Sequence, residues 1–595
     1  MDNISLLLSE TLKKIFFDLD YVKNLSDSNK SQLICINWNV IYVKIRNIDY
    51  LFKNLKLIMN LFGIFNLKIS LDNLVKDLNS NSDINNFEIV LEKNNLGIVL
   101  KKKCIINFIK KSFLLDNLLN KEKNPKKILV DFSSPNIAKD MHVGHLRSTI
   151  IGDSISRLFE ELGHDVQRIN HVGDFGLNFG MLIHYLKTNF PNHIDSNFNI
   201  SDLQKFYTEA KKNFDIDDDF KKKSYQMVVS LQNGEKGIIE PWEYIKDVSR
   251  KSYNEIYRRL NIKLKEVAES FYQKIIPDLI LELKVKNLIF EDCGRFIFKI
   301  DKLPEILTII KSDGSSTYDT TDVAAIKYRS VDLNMDQIYY VVDVGQSNHF
   351  KLIFEIAKLA GWINNEKIVK HIEFGLVLNQ TGGKFKTREN NTIKLIDILN
   401  EAINIAEQTY LNKENTRSFI INLNEIDKKN VIEKIAYNSI KYSDLSSSRT
   451  NNYYFFNKNM LSLKGNTAPY LMYAYVRICG IIKNCQESIN EILNWIENFE
   501  IFEEIEFDLA KNLLQFPEIL NKLKDDLYFH ILCNYTYNLC TTFHSFFNKC
   551  RIINIESDKV STKTINFNRL ILCILTKRIL DKCFYILGLE PVEKM

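Results

Sequence analysis

Ile128-Leu-Val130, followed by Ser133-Ser-Pro-Asn-Ile-Ala-Lys-Asp-Met-His-Val-Gly-His-Leu-Arg147, decides the fold. The apolar triplet predicts a short buried strand and the polar stretch after it a loop. Leu146, Ile150, Ile155, Leu158 and Leu162 then recur close to one helical face; Gly163 predicts the helix stop, and Asp165 to Ile169 a second strand. Strand, loop, helix and strand form a βαβ unit. Gln337-Ile-Tyr-Tyr-Val-Val342, again ahead of a polar loop and a helix, extends a parallel sheet across the middle of the chain. A Rossmann-type α/β nucleotide-binding domain is the expectation.

Outward from that unit, 595 residues are too many for one small fold, and two to four packed units are expected. Upstream, the polar run Asn120-Lys-Glu-Lys-Asn-Pro-Lys-Lys127 predicts a linker, and residues 1–115 mix helical and alternating apolar patterns, as in a small α/β domain. The α/β nucleotide-binding domain is expected over 125–425, with a helical insertion at about 190–290. From about 430 the pattern is helical to the end, which predicts an all-α bundle over 430–595.

Hydrophobic residues at 45% and charged residues at 26% are ordinary globular values and argue against extensive disorder. A net charge of +5 is too small to establish a nucleic-acid partner. The ten cysteines are scattered without a C-x-x-C pair, which suggests neither a zinc ribbon nor a disulfide framework. Asp2, Glu10 and Asp18 fit poorly with a leader peptide, and Lys577, Arg578, Asp581 and Lys582 interrupt the apolar stretch Leu570 to Leu589. The expectation is therefore a cytoplasmic protein with no membrane partner, and a monomer.

His142 and His145 fall where the helix is expected to begin. A helix N-terminus offers unpaired N–H groups and partial positive charge, so these imidazoles, with Lys139, would face a triphosphate there, and Gly144 would let a flat purine approach the backbone. An isolated His-x-Gly-His could equally cap or pack a helix. The surroundings decide: the run is similar to the HIGH signature of class I aminoacyl-tRNA synthetases, and its Ser-Pro-Asn-x-Ala-Lys preface resembles the arginine enzymes in particular. Arg147-Ser-Thr-Ile-Ile-Gly-Asp153 and Asn170-His-Val-Gly-Asp-Phe-Gly176 resemble that family too, as do, in order, Tyr318-Asp-Thr-Thr-Asp322, Val341-Val-Asp-Val-Gly-Gln-Ser-Asn-His349 and Lys384-Phe-Lys-Thr-Arg388. Gly465-Asn-Thr-Ala-Pro-Tyr-Leu-Met-Tyr-Ala-Tyr-Val-Arg477 looks like the entry to the family's helical anticodon-binding domain, and Val592-Glu-Lys-Met595 resembles its usual ending.

The resemblance implies ATP-dependent activation of L-arginine and its transfer to the 3′-terminal ribose of tRNA(Arg), with Mg²⁺ accompanying the nucleotide and no protein metal site. It assigns His142, His145, Lys139, Lys384, Lys386 and Arg388 to the triphosphate and its chemistry, and Pro135, Asn136, Gly144 and His349, with Lys139 and the histidines, to ATP. Where the class usually carries K-M-S-K-S this chain has Lys384-Phe-Lys-Thr-Arg388, with Thr387 in the second lysine position, and Lys139 would supply the missing charge. A guanidinium prefers carboxylates that accept a forked pair of hydrogen bonds. By resemblance Asp131, Asp322 and the Tyr318 hydroxyl hold it, while Ser134, Asn136 and Gln346 hold the α-amino and carboxylate groups. Taken alone, each of these acids reads as a helix cap.

Three other readings fit less well. A cysteinyl enzyme would need a zinc site that the dispersed cysteines do not offer, and a small-molecule nucleotidyltransferase rarely carries a long helical C-terminal domain. An inactive tRNA-binding paralogue would not require His142, His145 and Asp322, all present. Phe543, Phe546 and Phe547 are expected to pack in a core rather than stack on bases, and the Lys-rich 101–127 to be a solvated face and linker.

Overall fold

The computed structural model describes the chain except residues 2, 46–47, 65–69, 82, 84–85, 120, 192–197, 302, 379–393, 412–423, 455–457, 486–488, 556–562 and 595. Two compact units result. One joins Met1–Asn120 to Leu471–Leu527 and Asn534–Cys583; the other joins Lys121–Tyr470 to Tyr528–Cys533 and Phe584–Met595.

In the first unit, strands Val40–Ile45, Ile48–Phe52, Asn95–Leu100 and Phe87–Glu92 lie side by side in that order, each pair antiparallel. All five residues of Ile48–Phe52 are buried. Helices cover it, and Trp38 stacks on Phe52 with Phe16 edge-on. The buried Asp49 receives Lys511 Nζ at 2.6 Å, and Glu518 accepts from Ser5 N at 2.9 Å and Tyr50 Oη at 2.8 Å. Burial pushes the Glu518 carboxyl up to about 7, against the lowering effect of these hydrogen bonds. Residues far apart in sequence thus make one body, which no local pattern announces. Phe543 and Phe546 are fully buried in the helix His530–Lys549, with Phe547 partly so. Among the described residues, the region expected to be all-helical also carries short strands: Tyr453–Tyr454, parallel to Val377–Leu378, and the antiparallel pair Ile553–Ile555 with Lys563–Ile565.

The second unit is built on a parallel sheet. Its spatial order is Lys265–Glu266, Asp165–Asn170, Lys127–Asp131, Gln337–Tyr340, Ile368–His371. Numbered along the chain this is 3-2-1-4-5, the doubly wound arrangement in which the strand order reverses between the first and fourth strands. Ile128, Leu129 and Val130 are wholly buried, as expected of a central strand covered on both faces. The helix Val143–Glu161 joins the first two strands and ends in a Schellman motif: Gly163, at φ +92°, donates to Glu160 O and His164 to Phe159 O. Gly163 is there because an L side chain would strain that conformation.

Helices Leu177–Asn189, Ile200–Ile216, Asp218–Gln232 and Lys236–Arg259 separate the second and third strands. After the third come Glu269–Tyr272, Ile276–Val285, and a three-stranded antiparallel sheet of Phe290–Asp292, Arg295–Phe298 and Leu307–Ile310 that the sequence pattern does not announce. The helix Tyr318–Lys327 runs on into a π-helical turn, Tyr328–Asp332, ahead of the fourth strand. Among the described residues no helix is long and apolar enough to cross a membrane.

Candidate active site

The loop leaving the first strand bends tightly, with Ser133 at φ +76°, Ser134 at +45° and Ala138 at +59°, conformations costly for side chains of this kind. Neighbours hold each one. Ser133 N donates to Ser148 Oγ (2.8 Å), which donates to Val341 O (2.7 Å) at the end of the fourth strand. Ser134 N donates to Asn170 Oδ1 (3.0 Å) and Ala138 N to Ser249 Oγ (3.0 Å). Strain concentrated beyond the carboxyl ends of two strands, at the point where their order reverses, marks a site built for a ligand.

His142 caps the helix that follows. Gly144 N donates to His142 Nδ1 and His142 N to His145 Nδ1, both at 3.1 Å, with the ring centres 4.0 Å apart. Since both Nδ1 atoms accept, each neutral ring carries its proton on Nε2. Burial lowers both pKa values, that of His145 to about 3 with His142 adding to the effect, and Lys139 adds to the depression of His142. The pair therefore acts as two oriented N–H donors at a helix N-terminus rather than as two cations. A β-carbon at Gly144 would lie 2.9 Å from His142 Cε1, so the absent side chain makes room first for the His142 ring itself.

The two imidazoles line a cavity of about 460 Å³, together with Ser133, Ser134, Gly144, Val341–Asp343 and Phe374–Val377. Arg147, fully buried, fixes its far wall: its Nη atoms donate to Gly375 O (2.6 Å), Asn451 O (3.1 Å) and Arg449 O (3.2 Å), and Nε lies 3.3 Å from Asp444 Oδ2. Lys384, Lys386 and Arg388 lie outside the described residues. Earlier in the sequence Phe374–Val377 line the cavity, and later in it Lys394 bridges His142 and pairs with Asp140 at 2.8 Å.

On the other face of the same loop a larger cavity, about 720 Å³, is lined by Asn136, Lys139, Gly173, Glu269, Tyr318 and Asp319, among others. Lys139 Nζ sits 5.1 Å from the centre of the Tyr207 ring. Glu269 has no motif around it, so nothing in the sequence singles it out. Asp174 of the Asn170–Gly176 block places it by accepting Ser270 N (2.8 Å) and Ser270 Oγ (2.7 Å). Burial, reinforced by Asp322 and Asp174, pushes the Glu269 carboxyl up to about 8; a group so placed gains from an incoming cation. A β-carbon on Gly173 would meet Asn136 Oδ1 at 2.8 Å and come within 3.8 Å of Glu269 Oε1, so glycine keeps that corner open.

Tyr318, 62% exposed, and Asp322 are one turn apart on a helix capped by Thr317. Asp322 Oδ2 lies 2.7 Å from His349 Nε2. Asp131, expected to face substrate, meets a guanidinium of the chain itself: Arg329 Nη1 lies 2.7 Å away, and both side chains are buried. That partner lies on the π-helical turn, where no spacing in the sequence would reveal it. Asp131, Pro135, Asp322, Gln346 and His349 are not among the residues lining either cavity; Gln346 is exposed on the turn Val344–Gln346. His349, assigned to ATP by resemblance, stands beside Asp322 and Asp319 and is not among the residues lining the histidine cavity.

Residues 109–457 match the family model described as tRNA synthetases class I (R), catalytic domain, and 471–595 that of the DALR anticodon binding domain. The probable cytoplasmic arginine–tRNA ligase of Drosophila melanogaster is 46% identical over 496 residues, covering 81% of this chain and 74% of that one. The cytoplasmic arginine–tRNA ligase of Bos taurus is 43% identical over 533 residues, 88% and 79% respectively. Among solved structures, the arginyl-tRNA synthetase of Plasmodium falciparum superposes over both full chains with a TM-score of 0.83 at 31% identity. That of Thermus thermophilus shares the fold, with a TM-score of 0.74 at 18% identity. The strand order, the capped histidine pair and these likenesses converge: the chain belongs to the class I arginyl-tRNA synthetases.

Proposed function

We propose that the chain is an arginine–tRNA ligase that condenses L-arginine with ATP to arginyl-adenylate and pyrophosphate, then passes the arginyl group to the 3′-terminal ribose of tRNA(Arg). One observation carries the reading: two neutral imidazoles, aimed by a capping box at a Rossmann switch point, stand across one loop from a cavity lined by Tyr318, Asp319 and a half-buried, unusually basic Glu269. The first side suits a polyphosphate and the second a cation.

In this reading attack of the arginine carboxylate on the α-phosphorus builds negative charge, which fixed donors stabilise without reorganising. His142 and His145 supply Nε2–H groups; Lys139, Lys384, Lys386 and Arg388 supply charge; Pro135, Asn136 and Gly144 border the nucleotide. Mg²⁺ is proposed to travel with the triphosphate. Tyr318, Asp322 and Glu269 read the guanidinium, and Ser134, Asn136 and Gln346 the α-amino and carboxylate groups. Asp131 acts from behind, through Arg329. The division into 1–115, 125–425 with an insertion at about 190–290, and 430–595 serves tRNA contact, catalysis and anticodon binding. A monomer working in the cytoplasm completes the proposal. An inactive paralogue has no support, since the relatives matched are named as ligases.

ATP–pyrophosphate exchange tests the reading. Exchange is expected with arginine and, as the family resemblance implies, only once tRNA is added. Equal exchange without tRNA would contradict a site completed by tRNA, and exchange driven by another amino acid would overturn the function.

A further inference from the structure

His349 has carboxylate oxygens at both ring nitrogens: Asp322 Oδ2 at 2.7 Å from Nε2 and Asp319 Oδ1 at 3.5 Å from Nδ1. Only the Asp322 contact is a hydrogen bond; Asp319 Oδ1 has no hydrogen-bond partner among the described residues and faces Nδ1 as a charge, and two carboxylates this close to one ring favour the imidazolium. Burial opposes the charge, but the bond to Asp322 and the charges of Asp322 and Asp319 outweigh it and hold the pKa above its ordinary value. The ring of Tyr318, the third group facing it from the same helix, lies 5.3 Å away, centre to centre.

The opposite side of Asp322 is also occupied. His171 Nε2 lies 3.8 Å from Asp322 Oδ1, and His171 Nδ1 lies 3.3 Å from Arg329 Nη2. Arginine only donates, so Nδ1 accepts and the single proton of the neutral ring is on Nε2, facing Asp322. Burial, opposed by Asp131 and aided by Arg329, keeps His171 neutral. Glu269, Tyr272 and Tyr340 are further titratable groups that feel the charge of Asp322. Before any substrate arrives, then, both oxygens of Asp322 face imidazole nitrogens, that of His349 at hydrogen-bond distance and that of His171 at 3.8 Å.

We infer that His349 is a specificity-determining positioning residue: it stands in for the substrate cation on Asp322, and arginine enters by displacing its proton to water. The inference rests on the reading that Asp322 receives the guanidinium. One cation enters and one proton leaves, so the charge of the site is unchanged. A urea of the same shape but no charge cannot discharge the imidazolium, so the pair stays closed against it; strongly basic guanidino compounds are the class admitted.

A protonated competitor makes arginine binding weaken as pH falls. In aminoacylation by the full chain between about pH 5 and 8, where histidines titrate, His349 should add about tenfold per pH unit to the fall in arginine KM on the acid side of its titration, while the ATP KM stays flat. In His349→Gln that added slope should be gone, leaving only the dependence set by Glu269, whose carboxyl, pushed up to about 8, must ionise to meet the same cation. A mutant that keeps the wild-type slope, or a wild type without one, would overturn the inference. Asp322→Asn separates the two claims: if it leaves the arginine KM at the wild-type value, the reading of Asp322 itself fails, whereas a damaged Asp322→Asn beside a His349→Gln with intact slope sinks only the role of His349. Should His349→Gln not fold, calorimetric titration of the tRNA-bound wild type with arginine, in two buffers of different ionisation enthalpy, decides the same question: because Glu269 can itself release up to one proton, more than one proton released per arginine supports displacement, and one or fewer overturns it.

Discussion

Asp322→Asn is expected to lower kcat/KM for arginine by roughly 2 to 5 kcal/mol, the range for truncating one side of a desolvated charge pair, or about 30-fold to several thousandfold. The change keeps the side chain's size but puts an N–H where an acceptor stood, opposite a substrate cation that loses its counter-charge. It also disturbs the bond to His349, 2.7 Å away. The KM for ATP should move much less, because Asp322 is not among the residues lining the histidine cavity. Arginine and ATP kinetics measured beside thermal melting distinguish a damaged site from a loosened fold. Unchanged arginine kinetics would reduce Asp322 to a structural partner of two histidines.

His145→Ala should slow adenylate formation by roughly 10² or more, as when one preorganised donor to a developing anion is removed. It also deletes the acceptor for His142 N, so half of the capping box is lost, at a cost of about 0.5–2 kcal/mol in stability. The helix has other anchors, Ser148 and Arg147 among them, and should survive. Because the His145 pKa lies near 3, the ring is neutral throughout the working range, and its loss should scale the rate without moving the pH profile. Wild-type turnover in a stable mutant would refute the donor role.

Short-range chemistry was the legible part of this chain. The strand at Ile128–Val130, the helix stop at Gly163 and the strand from Asp165 are each set by a few consecutive residues, and the structure has them at 127–131, 143–161 and 165–170. What depends on distant partners was hidden. The pairing of Asp49 with Lys511, the three-stranded sheet within 290–310, and the burial that makes Glu269 basic all require the chain to be folded first. Asp131 shows the limit most clearly. Its type and place after a strand suit a substrate carboxylate, yet a buried Arg329, delivered by a π-helical turn, already meets it. The histidines were placed by their motif, whereas their neutrality follows from backbone bonds to Nδ1 that the sequence does not spell out.

Aminoacylation of matched tRNA by the full-length chain, run separately with each of the twenty amino acids, tests the central claim most directly. The account predicts ATP-dependent charging with arginine and background with every other amino acid, lysine included, since a single ammonium cannot offer the planar fork that Asp322 and Glu269 are proposed to read. Charging with a different amino acid, or tRNA binding with no charging at all, would contradict it.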